Sequence, residues 1–412
     1  MIAAVANPFS AAILTGGAAE VFRRRMAGAE FTDIACELTR LYPDHAGEIL
    51  SDIRDVESYL LDSAPGGRPL GAEGGGGGDI TAVIRFAREH GLFTNATVEV
   101  LTKCNLRCAH CFHPDHSGAG PDIGALETLF GNLRRSGALF LCLTGGEIFL
   151  RRDAAEIIDA AHSAGFIIEL KTNGTRLDKK TIGRLARNRI SDVQVSVYGV
   201  SDGANAFTGG HYDFTAVASA IEGLREAGVP CSVSYQLTPG NVTEMERAYE
   251  VLSRLTDNLF FSFYVTPRLG DPQGNALSRI GYDQLRDYVL PRLRAWGMAP
   301  DTPSPYRTKD CGYICWAGHE QAFFAVDGKV YPCPDLRIPI GDLSHAPAEE
   351  IVRNRFDALK RIMPTTLPAC EGCSYFDFCD SCIGIALAEN GTFHRPSPHK
   401  CDITRLQFEG GS

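Results

Sequence analysis

The chain has 412 residues, of which 44% are hydrophobic and 22% are charged, and its net charge is -10. This length favours a main catalytic domain with smaller additions, and without an apolar run of about twenty residues no transmembrane helix is expected. The first residues lack the basic stretch of a secretory signal, so we expect a cytoplasmic protein that does not bind membranes. The excess of acidic residues argues against nucleic acid as a partner.

The first segment, residues 1–64, is predicted to be a small helical domain. The stretches EFTDIACELTRLY and EILSDIRDVESYLL place apolar residues near helical spacing. An earlier stretch, ANPFSAAIL, begins with an Asn-Pro pair, which is typical of a helix start. Residues 65–79 contain five consecutive glycines and are predicted to form a flexible linker.

Residues 80–300 are predicted to form a partial (β/α)6 barrel. A helix is expected over ITAVIRFAREHGLF, followed by the strand TVEVLT. Five more strands are expected at ALFLCLTGG, GFIIELKTNG, DVQVSVYG, PCSVSYQL and LFFSFYV. The helices between them are expected around 122–136, 153–164, 178–188, 214–227 and 242–255. Repeated βα units define an α/β fold with a parallel sheet, and ligands gather at the C-terminal ends of its strands.

The cysteines fall mainly into two groups, three at 104–111 and eight at 311–401, in a chain with 14 in total. Disulfides are rare in a reducing cytoplasm, so grouped cysteines there indicate metal ligands or catalytic thiols. In residues 301–412 the alternation of strands and helices stops, and cysteine, glycine and proline dominate. Metal clusters are expected to organise this segment, because its apolar periodicity is too weak to build a core.

Cys104, Cys108 and Cys111 lie in one short loop after the first predicted strand. A [4Fe–4S] cluster normally has four cysteine ligands, so a local set of three leaves one iron open for a substrate or cofactor. The alternative is a zinc site, in which His110 or His113 supplies a fourth ligand. Spacing alone leaves both possibilities open.

The stretch CNLRCAHC resembles the signature of the radical S-adenosylmethionine (SAM) superfamily, and further motifs of that family follow in order. The resemblance implies that the three cysteines hold a [4Fe–4S] cluster whose open iron binds SAM. It also implies that Gly145, Gly146 and Glu147, after the second strand, meet the SAM amino group. His110 stands where the family usually has Tyr or Phe.

Further SAM contacts are implied on later strands. The family commonly contacts the ribose and carboxylate of SAM from the positions of Asn173 and Ser196. Gln236 and Arg268 are further candidates for the SAM or substrate pocket. Each of these residues also has an ordinary alternative: turn formation by Asn-Gly, packing inside the barrel, or simple exposure to solvent.

The second group contains the number of cysteines that two fully ligated [4Fe–4S] clusters need. Its members are Cys311, Cys315, Cys333, Cys370, Cys373, Cys379, Cys382 and Cys401. The DGKVYPC stretch and the later C-x2-C-x5-C-x2-C run resemble a SPASM domain, although the family usually has three residues in the last spacer. The resemblance implies one auxiliary cluster on Cys311, Cys315, Cys333 and Cys382 and another on Cys370, Cys373, Cys379 and Cys401. Two zinc sites are the alternative.

The N-terminal segment resembles the helical half of the leader-peptide recognition domain that accompanies many peptide-modifying enzymes. That domain begins with a small β-sheet whose edge captures the leader. Almost nothing precedes Asn7, so we expect the sheet to be missing or much reduced. A plain helical bundle is the alternative.

Together these resemblances imply an enzyme with three [4Fe–4S] clusters that modifies a ribosomally made precursor peptide. An external electron donor of the flavodoxin or ferredoxin type would drive cleavage of SAM to a 5'-deoxyadenosyl radical. The radical would take a hydrogen from the peptide, and an oxidative thioether, C–C or C–O crosslink would follow. Asp335, two residues after Cys333, is a candidate base, and Tyr198 is an alternative.

Other outcomes remain open from sequence. Within the same class, the protein would oxidise a protein residue as a sulfatase maturase does, or epimerise a peptide. A non-catalytic zinc or electron-transfer protein is the hypothesis from a different class.

Overall fold

The chain divides into two units, Met1–His90 and Gly91–Ser412. The computed structural model describes residues 2–6, 9–13, 20–22, 24–25, 28–62, 91–201, 204–209, 212–299, 315, 317–362, 367–379 and 382–409. The predicted linker over 65–79, the predicted helix that begins at Ile80 and the predicted ligand Cys311 lie outside the described residues. No helix in the described part is both long and apolar enough to cross a membrane.

The first unit opens with a β-hairpin, not with the predicted helix. Strands β1 (Ile2–Ala6) and β2 (Phe9–Ile13) pair antiparallel, with Ala4 opposite Ala11. The prediction of a helix over ANPFSAAIL was therefore wrong, whereas a sheet of only two strands fits the expectation of a missing or much reduced sheet. The sequence reason is that proline disfavours helical backbone in the residue before it, so Asn-Pro also separates two short strands.

Two helices complete the described part of this unit. They are α1 (Phe31–Leu41) and α2 (Ala46–Asp62). Ile34 and Leu38, four residues apart on α1, are buried against Ile49 and Ile53 of α2. The helical spacing of apolar residues therefore produces a small core, as the sequence predicted.

The second unit is built on a nine-stranded sheet, in which six strands lie side by side in chain order. Its six central strands are β3 (Asn95–Glu99), β4 (Phe140–Thr144), β5 (Ile167–Thr172), β6 (Asp192–Val197), β7 (Cys231–Gln236) and β8 (Leu259–Ser262). Neighbouring strands among these six are parallel. The predicted α/β fold with a parallel sheet is confirmed.

Helices connect these strands and follow them in the chain. Their bounds are α3 (Ile123–Arg135), α4 (Ala154–Ser163), α5 (Lys179–Arg187), α6 (Ala204–Thr208), α7 (Phe214–Glu226), α8 (Met245–Leu252), α9 (Leu290–Ala295), α10 (Ala348–Ile362), α11 (Ile383–Asn390) and α12 (Pro398–Glu409). Asp122, Asp178 and Asp213 cap the starts of α3, α5 and α7 by accepting backbone N–H bonds. These caps fix where each helix leaves its loop.

The C-terminal region extends the sheet, which the sequence did not predict. Strand β9 (Gln321–Phe324) pairs parallel to β3, and β10 (Lys329–Tyr331) and β11 (Gly341–Asp342) follow antiparallel. Phe324 and Val330 are buried in the same core as the central strands. This region therefore has apolar packing of its own, in addition to its cysteines.

Candidate cofactor site

A cavity of about 310 Å³ lies where the central parallel strands end. The three cysteines of the first group line it: Cys104, Cys108 and Cys111. So do most of the other residues predicted from sequence: Gly145, Gly146, Asn173, Ser196, Tyr198 and Gln236. These residues follow or end β3, β4, β5, β6 and β7, so the parallel sheet brings distant segments to one place, as expected for this architecture.

The glycine pair lets the end of β4 pack directly on the start of the cysteine loop. Gly145 has a positive φ of 139°, and a Cβ there would lie 2.1 Å from the carbonyl oxygen of Leu101. A Cβ on Gly146 would lie 2.2 Å from the carbonyl oxygen of Lys103. No side chain fits at either position. The glycines are thus required for contact between two protein segments, independently of any cofactor.

Glu147 lies behind the cavity wall and is fully buried. Its carboxylate accepts hydrogen bonds from the backbone N–H of Asn173 at 2.8 Å, the backbone N–H of Phe149 at 3.1 Å and the hydroxyl of Thr172 at 2.9 Å. Burial raises its pKa, and these donors oppose that effect. In the structure Glu147 therefore holds the turn after β5, and its contact with the SAM amino group stays a prediction.

Asn173 points its amide at the cysteine loop. Its Nδ2 donates to Oδ1 of Asn105 at 3.0 Å and lies 3.8 Å from Sγ of Cys104. The backbone N–H of Leu106 also donates to this sulfur, at 3.4 Å. Burial raises the pKa of the Cys104 thiol, and N–H donors and a bound cation are the groups that favour its thiolate.

Tyr198 and His110 form the aromatic side of the same cavity. The Tyr198 hydroxyl hydrogen-bonds Ser196 and the Cys108 thiol, and its ring lies 5.3 Å from the His110 ring. His110 stacks on Phe207 at 5.0 Å, and burial lowers its pKa to about 4, so it is neutral at pH 7. Tyr198 thus lines the cavity beside a cysteine of the triad, and its role as a base stays a prediction.

The outer side of the cysteine loop is held by two residues from the segment after β8. Arg268 donates to the carbonyl oxygens of Ala109 at 3.1 Å and Cys111 at 3.3 Å. Asn275 donates to the carbonyl oxygens of His110 at 3.0 Å and Thr266 at 2.8 Å. Arg268 therefore clamps the loop and does not line the pocket. Sequence reasoning missed Asn275, because an Asn in a Gly- and Pro-rich stretch looks like an ordinary turn residue.

Asp335 lies next to Thr266, a residue of the cavity lining. Its carboxylate hydrogen-bonds Thr266, which lines the cavity. Burial raises the pKa of Asp335, and the charges of Lys400, Arg337 and Lys171 oppose that shift. Lys171 lines the cavity as well. The candidate base is therefore one side chain away from the space in which a substrate would lie.

The second group of cysteines separates into two sets. In the first, Cys315, Cys333 and Cys382 lie close enough for their charges to act on one another. Each sulfur accepts a backbone N–H bond, from Ala317 at 3.4 Å, Leu336 at 3.3 Å and Ile385 at 3.5 Å respectively. Burial, with the nearby Asp335 carboxylate, raises the pKa of Cys382 to about 12.

The other set gathers around Cys401 on α12. Burial raises the pKa of the Cys401 thiol, and the nearby thiols of Cys379, Cys370 and Cys373 raise it further. These two sets have the composition that the sequence predicted, apart from Cys311. Among the described residues no three Cys, His, Asp or Glu side chains converge on a single metal-ion position. The fit to clusters therefore rests on the grouping of the thiols and on the N–H donors aimed at them.

Family models match both cysteine-bearing regions. The radical SAM superfamily model matches residues 98–252, and that of an iron–sulfur cluster-binding domain, SPASM, matches residues 315–374. The protein is thus a cluster-binding α/β protein of a defined class. It carries a radical SAM domain and a SPASM domain, and these two domains imply [4Fe–4S] clusters and SAM.

Two curated relatives match most of the chain. An AdoMet-dependent heme synthase of Methanosarcina barkeri is 25% identical over 334 residues, which cover 73% of this chain and 94% of the relative. The mycofactocin maturase MftC of Mycobacterium ulcerans is 26% identical over 330 residues, covering 73% of this chain and 86% of the relative. These two relatives are named for different reactions, so their names do not fix the substrate of this protein.

Two solved structures share the fold. SuiB of Streptococcus suis bound to its precursor peptide SuiA has a TM-score of 0.64 and 12% identity, covering 95% of this chain and 94% of that one. The enzyme anSMEcpe with bound AdoMet and a peptide has a TM-score of 0.62 and 17% identity, covering 77% of this chain and 96% of that one. At these identities the likeness concerns the fold alone.

Proposed function

We propose that this protein is a radical SAM peptide maturase, which removes a hydrogen from a ribosomally made precursor peptide and installs an oxidative thioether, C–C or C–O crosslink. The observation that carries this proposal is the N-terminal unit, in which the β1–β2 hairpin precedes helices α1 and α2. A unit of this kind is unnecessary for SAM chemistry. It is suited to holding a second, extended molecule.

The hairpin offers strand edges to a peptide. In the described part of the chain β1 pairs only with β2, so each strand keeps one edge whose backbone groups are unpaired. Extended peptides bind such edges by adding a strand. The SuiB structure that holds a precursor peptide aligns with 95% of this chain, and MftC is named a maturase; both support a peptide as the substrate.

The chain's cysteines would hold three [4Fe–4S] clusters. Cys104, Cys108 and Cys111 would bind the first, and the sets around Cys333 and Cys401 would bind the two auxiliary clusters. When bound, these clusters and SAM supply a one-electron reduction of SAM, a 5'-deoxyadenosyl radical and an acceptor for the electron that the peptide loses.

The protein's own part is positioning and proton transfer. The walls formed by Gly145, Gly146, Asn173 and Ser196 would orient SAM. For a crosslink the peptide loses one hydrogen atom to the radical, and then one proton and one electron. Asp335 would take that proton by way of Thr266, which lines the cavity and interacts with the Asp335 carboxylate.

A tetrapyrrole is the second candidate substrate. The AdoMet-dependent heme synthase relative matches 73% of this chain, which is a specific observation in its favour. The presence of a hairpin-bearing N-terminal unit favours the peptide. A sulfatase-maturase-like oxidation or an epimerisation would use the same peptide-binding features and differ only in the product.

The decisive experiment is an anaerobic incubation of the reconstituted protein with SAM, dithionite and a candidate precursor peptide, with iron-coproporphyrin supplied in a parallel incubation. A crosslink predicts that the peptide mass falls by two hydrogens. An unchanged mass with uptake of solvent deuterium indicates epimerisation, and an unmodified peptide alongside a changed iron-coproporphyrin would replace the proposal by the tetrapyrrole reaction. The Cys104→Ala variant is the control for chemistry that depends on the triad.

Iron analysis tests the number of clusters. Three [4Fe–4S] clusters predict roughly twelve irons per chain, and replacing Cys104, Cys108 and Cys111 by alanine should leave roughly eight. Zinc in place of iron would contradict the proposal.

A further inference from the structure

The outward side of the cysteine loop carries a concentration of positive charge. Lys103 and Arg107 flank Cys104 and are exposed, as are Arg176, Lys179 and Lys180 after β5. Within these two segments only Asp178 is acidic, whereas the whole chain has a net charge of -10. We call these five basic residues the cysteine-loop surface.

Hydrogen bonds join the two segments into one surface. Asn105 Nδ2 donates to Oγ1 of Thr175 at 2.9 Å, and its Oδ1 accepts from Asn173 Nδ2 at 3.0 Å. Arg107 donates to the carbonyl oxygen of Cys104 at 2.6 Å, and its charge acts on the thiols of Cys104 and Cys111. The surface therefore lies directly outside the loop that carries the triad.

Little acidic charge opposes this surface: Asp178 interacts with Lys180, and the buried Glu147 interacts with Arg176. Among the described residues none of its five members forms an ion pair, whereas Arg184, further along α5, pairs with Asp159 and lies 3.9 Å from Glu156. Clustered like charges repel one another and are retained where they attract a partner of opposite charge. A local basic surface on an overall acidic protein is thus electrostatically complementary to an acidic partner.

We propose that an acidic one-electron donor protein, of the flavodoxin or ferredoxin type, docks on the cysteine-loop surface. The inference rests on the proposed cluster at Cys104, Cys108 and Cys111. In each encounter the donor is oxidised by one electron and that cluster is reduced by one, with no atom transferred. Docking here brings the donor next to the triad, because Lys103 and Arg107 lie on the same loop as the cysteines.

The test compares two reductants in the holoenzyme with SAM and no peptide. The variant is Lys103→Glu with Arg176→Glu; Arg107 stays in place because it bonds the Cys104 carbonyl. Its control, Lys360→Glu with Arg361→Glu, makes the same charge change at exposed positions of α10. The readouts are bleaching of the cluster's visible absorbance and formation of 5'-deoxyadenosine, driven either by a reduced acidic flavodoxin or by dithionite.

We expect the flavodoxin-driven bimolecular rate to fall about tenfold or more in the surface variant at low ionic strength, and the dithionite-driven rate to stay within about twofold. Added salt should slow the wild type toward the variant, and the control should behave as wild type. An equal loss with both reductants would show that the residues only maintain the loop, and no loss with either would also overturn the proposal. A separate measurement of precursor-peptide binding would assign the surface to an acidic leader, and so overturn the proposal, if the donor rate were unchanged and that binding were weaker.

Because the peptide is left out, a negative result here leaves the peptide-maturase proposal untouched. Conversely, a protein that fails to modify any peptide can still show donor-specific reduction of its cluster.

Discussion

At the scale of single residues, Glu147 belongs to the predicted Gly-Gly-Glu motif and supports the turn after β5. The Gly-Gly-Glu stretch identifies the end of β4 correctly, and its glycines line the cavity. The carboxylate, however, is buried and satisfies three donors from the neighbouring loops. An acidic side chain is kept in this apolar setting because backbone N–H groups need an acceptor there.

We expect Glu147→Gln to lower stability by about 1–3 kcal/mol, because an amide NH2 would face donors that now meet a carboxylate oxygen. SAM binding should weaken as well, since the turn that carries Asn173 loses its anchor. Thermal unfolding and equilibrium SAM binding are the measurements. Glu169→Gln on β5, a partly exposed site, is the matched control, and equal effects in both variants would contradict this role.

Asp335 is expected to separate two steps of the reaction. Its carboxylate interacts with Thr266 of the cavity lining. A base for the peptide takes no part in the cleavage of SAM, so Asp335→Asn should leave that cleavage intact and reduce peptide modification by at least about tenfold. Chromatography of 5'-deoxyadenosine and mass analysis of the peptide measure the two steps separately. Asp357→Asn, at an exposed site of α10, is the control; a parallel loss of both products would assign Asp335 to structure.

At the scale of elements, the hairpin is the most informative difference from the sequence prediction. Short strands rich in alanine have no strong periodicity, so ANPFSAAIL matched a helix start as well as it matched a turn. In the structure, the pairing of β1 with β2 makes this stretch a turn and a strand. Strand β9 escaped prediction for a related reason: its four residues gain stability only from their contact with β3.

We expect Val5→Pro to weaken binding of the precursor peptide, because proline removes a backbone N–H from β1, either toward β2 or at the outer edge. Val5→Ile keeps that N–H and is the matched control. Fluorescence anisotropy with a labelled peptide should show a loss of about tenfold or more for the proline variant only, at about 1.4 kcal/mol per factor of ten. SAM cleavage without peptide should be unchanged; unaltered peptide affinity would rule out capture by the hairpin.

At the scale of the whole molecule, one buried cation ties the C-terminal region to the start of the sheet. Arg355 on α10 donates to the carbonyl oxygens of His319, Gly318 and Val352, and to that of Gly91 ahead of β3. Burial lowers its pKa to about 10, so it remains charged at neutral pH. These hydrogen bonds join α10 to the start of the sheet and need no iron–sulfur cluster.

We expect Arg355→Met to destabilise the protein by about 3 kcal/mol or more, because several buried carbonyls lose their donor. Arg355→Lys should restore part of the loss, since lysine keeps the charge but not the planar set of donors. Thermal unfolding of the cluster-loaded protein measures both, with exposed Arg353→Met as the control. A methionine variant as stable as the wild type would show that these bonds contribute nothing net.

The sequence predicted the six strands of the parallel sheet, and most of the site residues that it singled out line the cavity, because cysteines and glycines at strand ends are recognisable one by one. It also predicted how Cys315, Cys333 and Cys382 separate from the set around Cys401, through a resemblance and not through spacing. The contacts of Arg268 and Asn275 with the cysteine loop could not be predicted, since their partners are backbone carbonyls far away in the chain. Contacts of that kind leave no pattern in a single sequence.

The most direct measurement of the central claim uses a precursor peptide with deuterium on its carbon atoms. Incubated anaerobically with SAM and reductant, the protein should transfer deuterium into 5'-deoxyadenosine while the peptide loses two hydrogen isotopes and gains a crosslink. Formation of 5'-deoxyadenosine without deuterium, beside an unaltered peptide, would contradict the account.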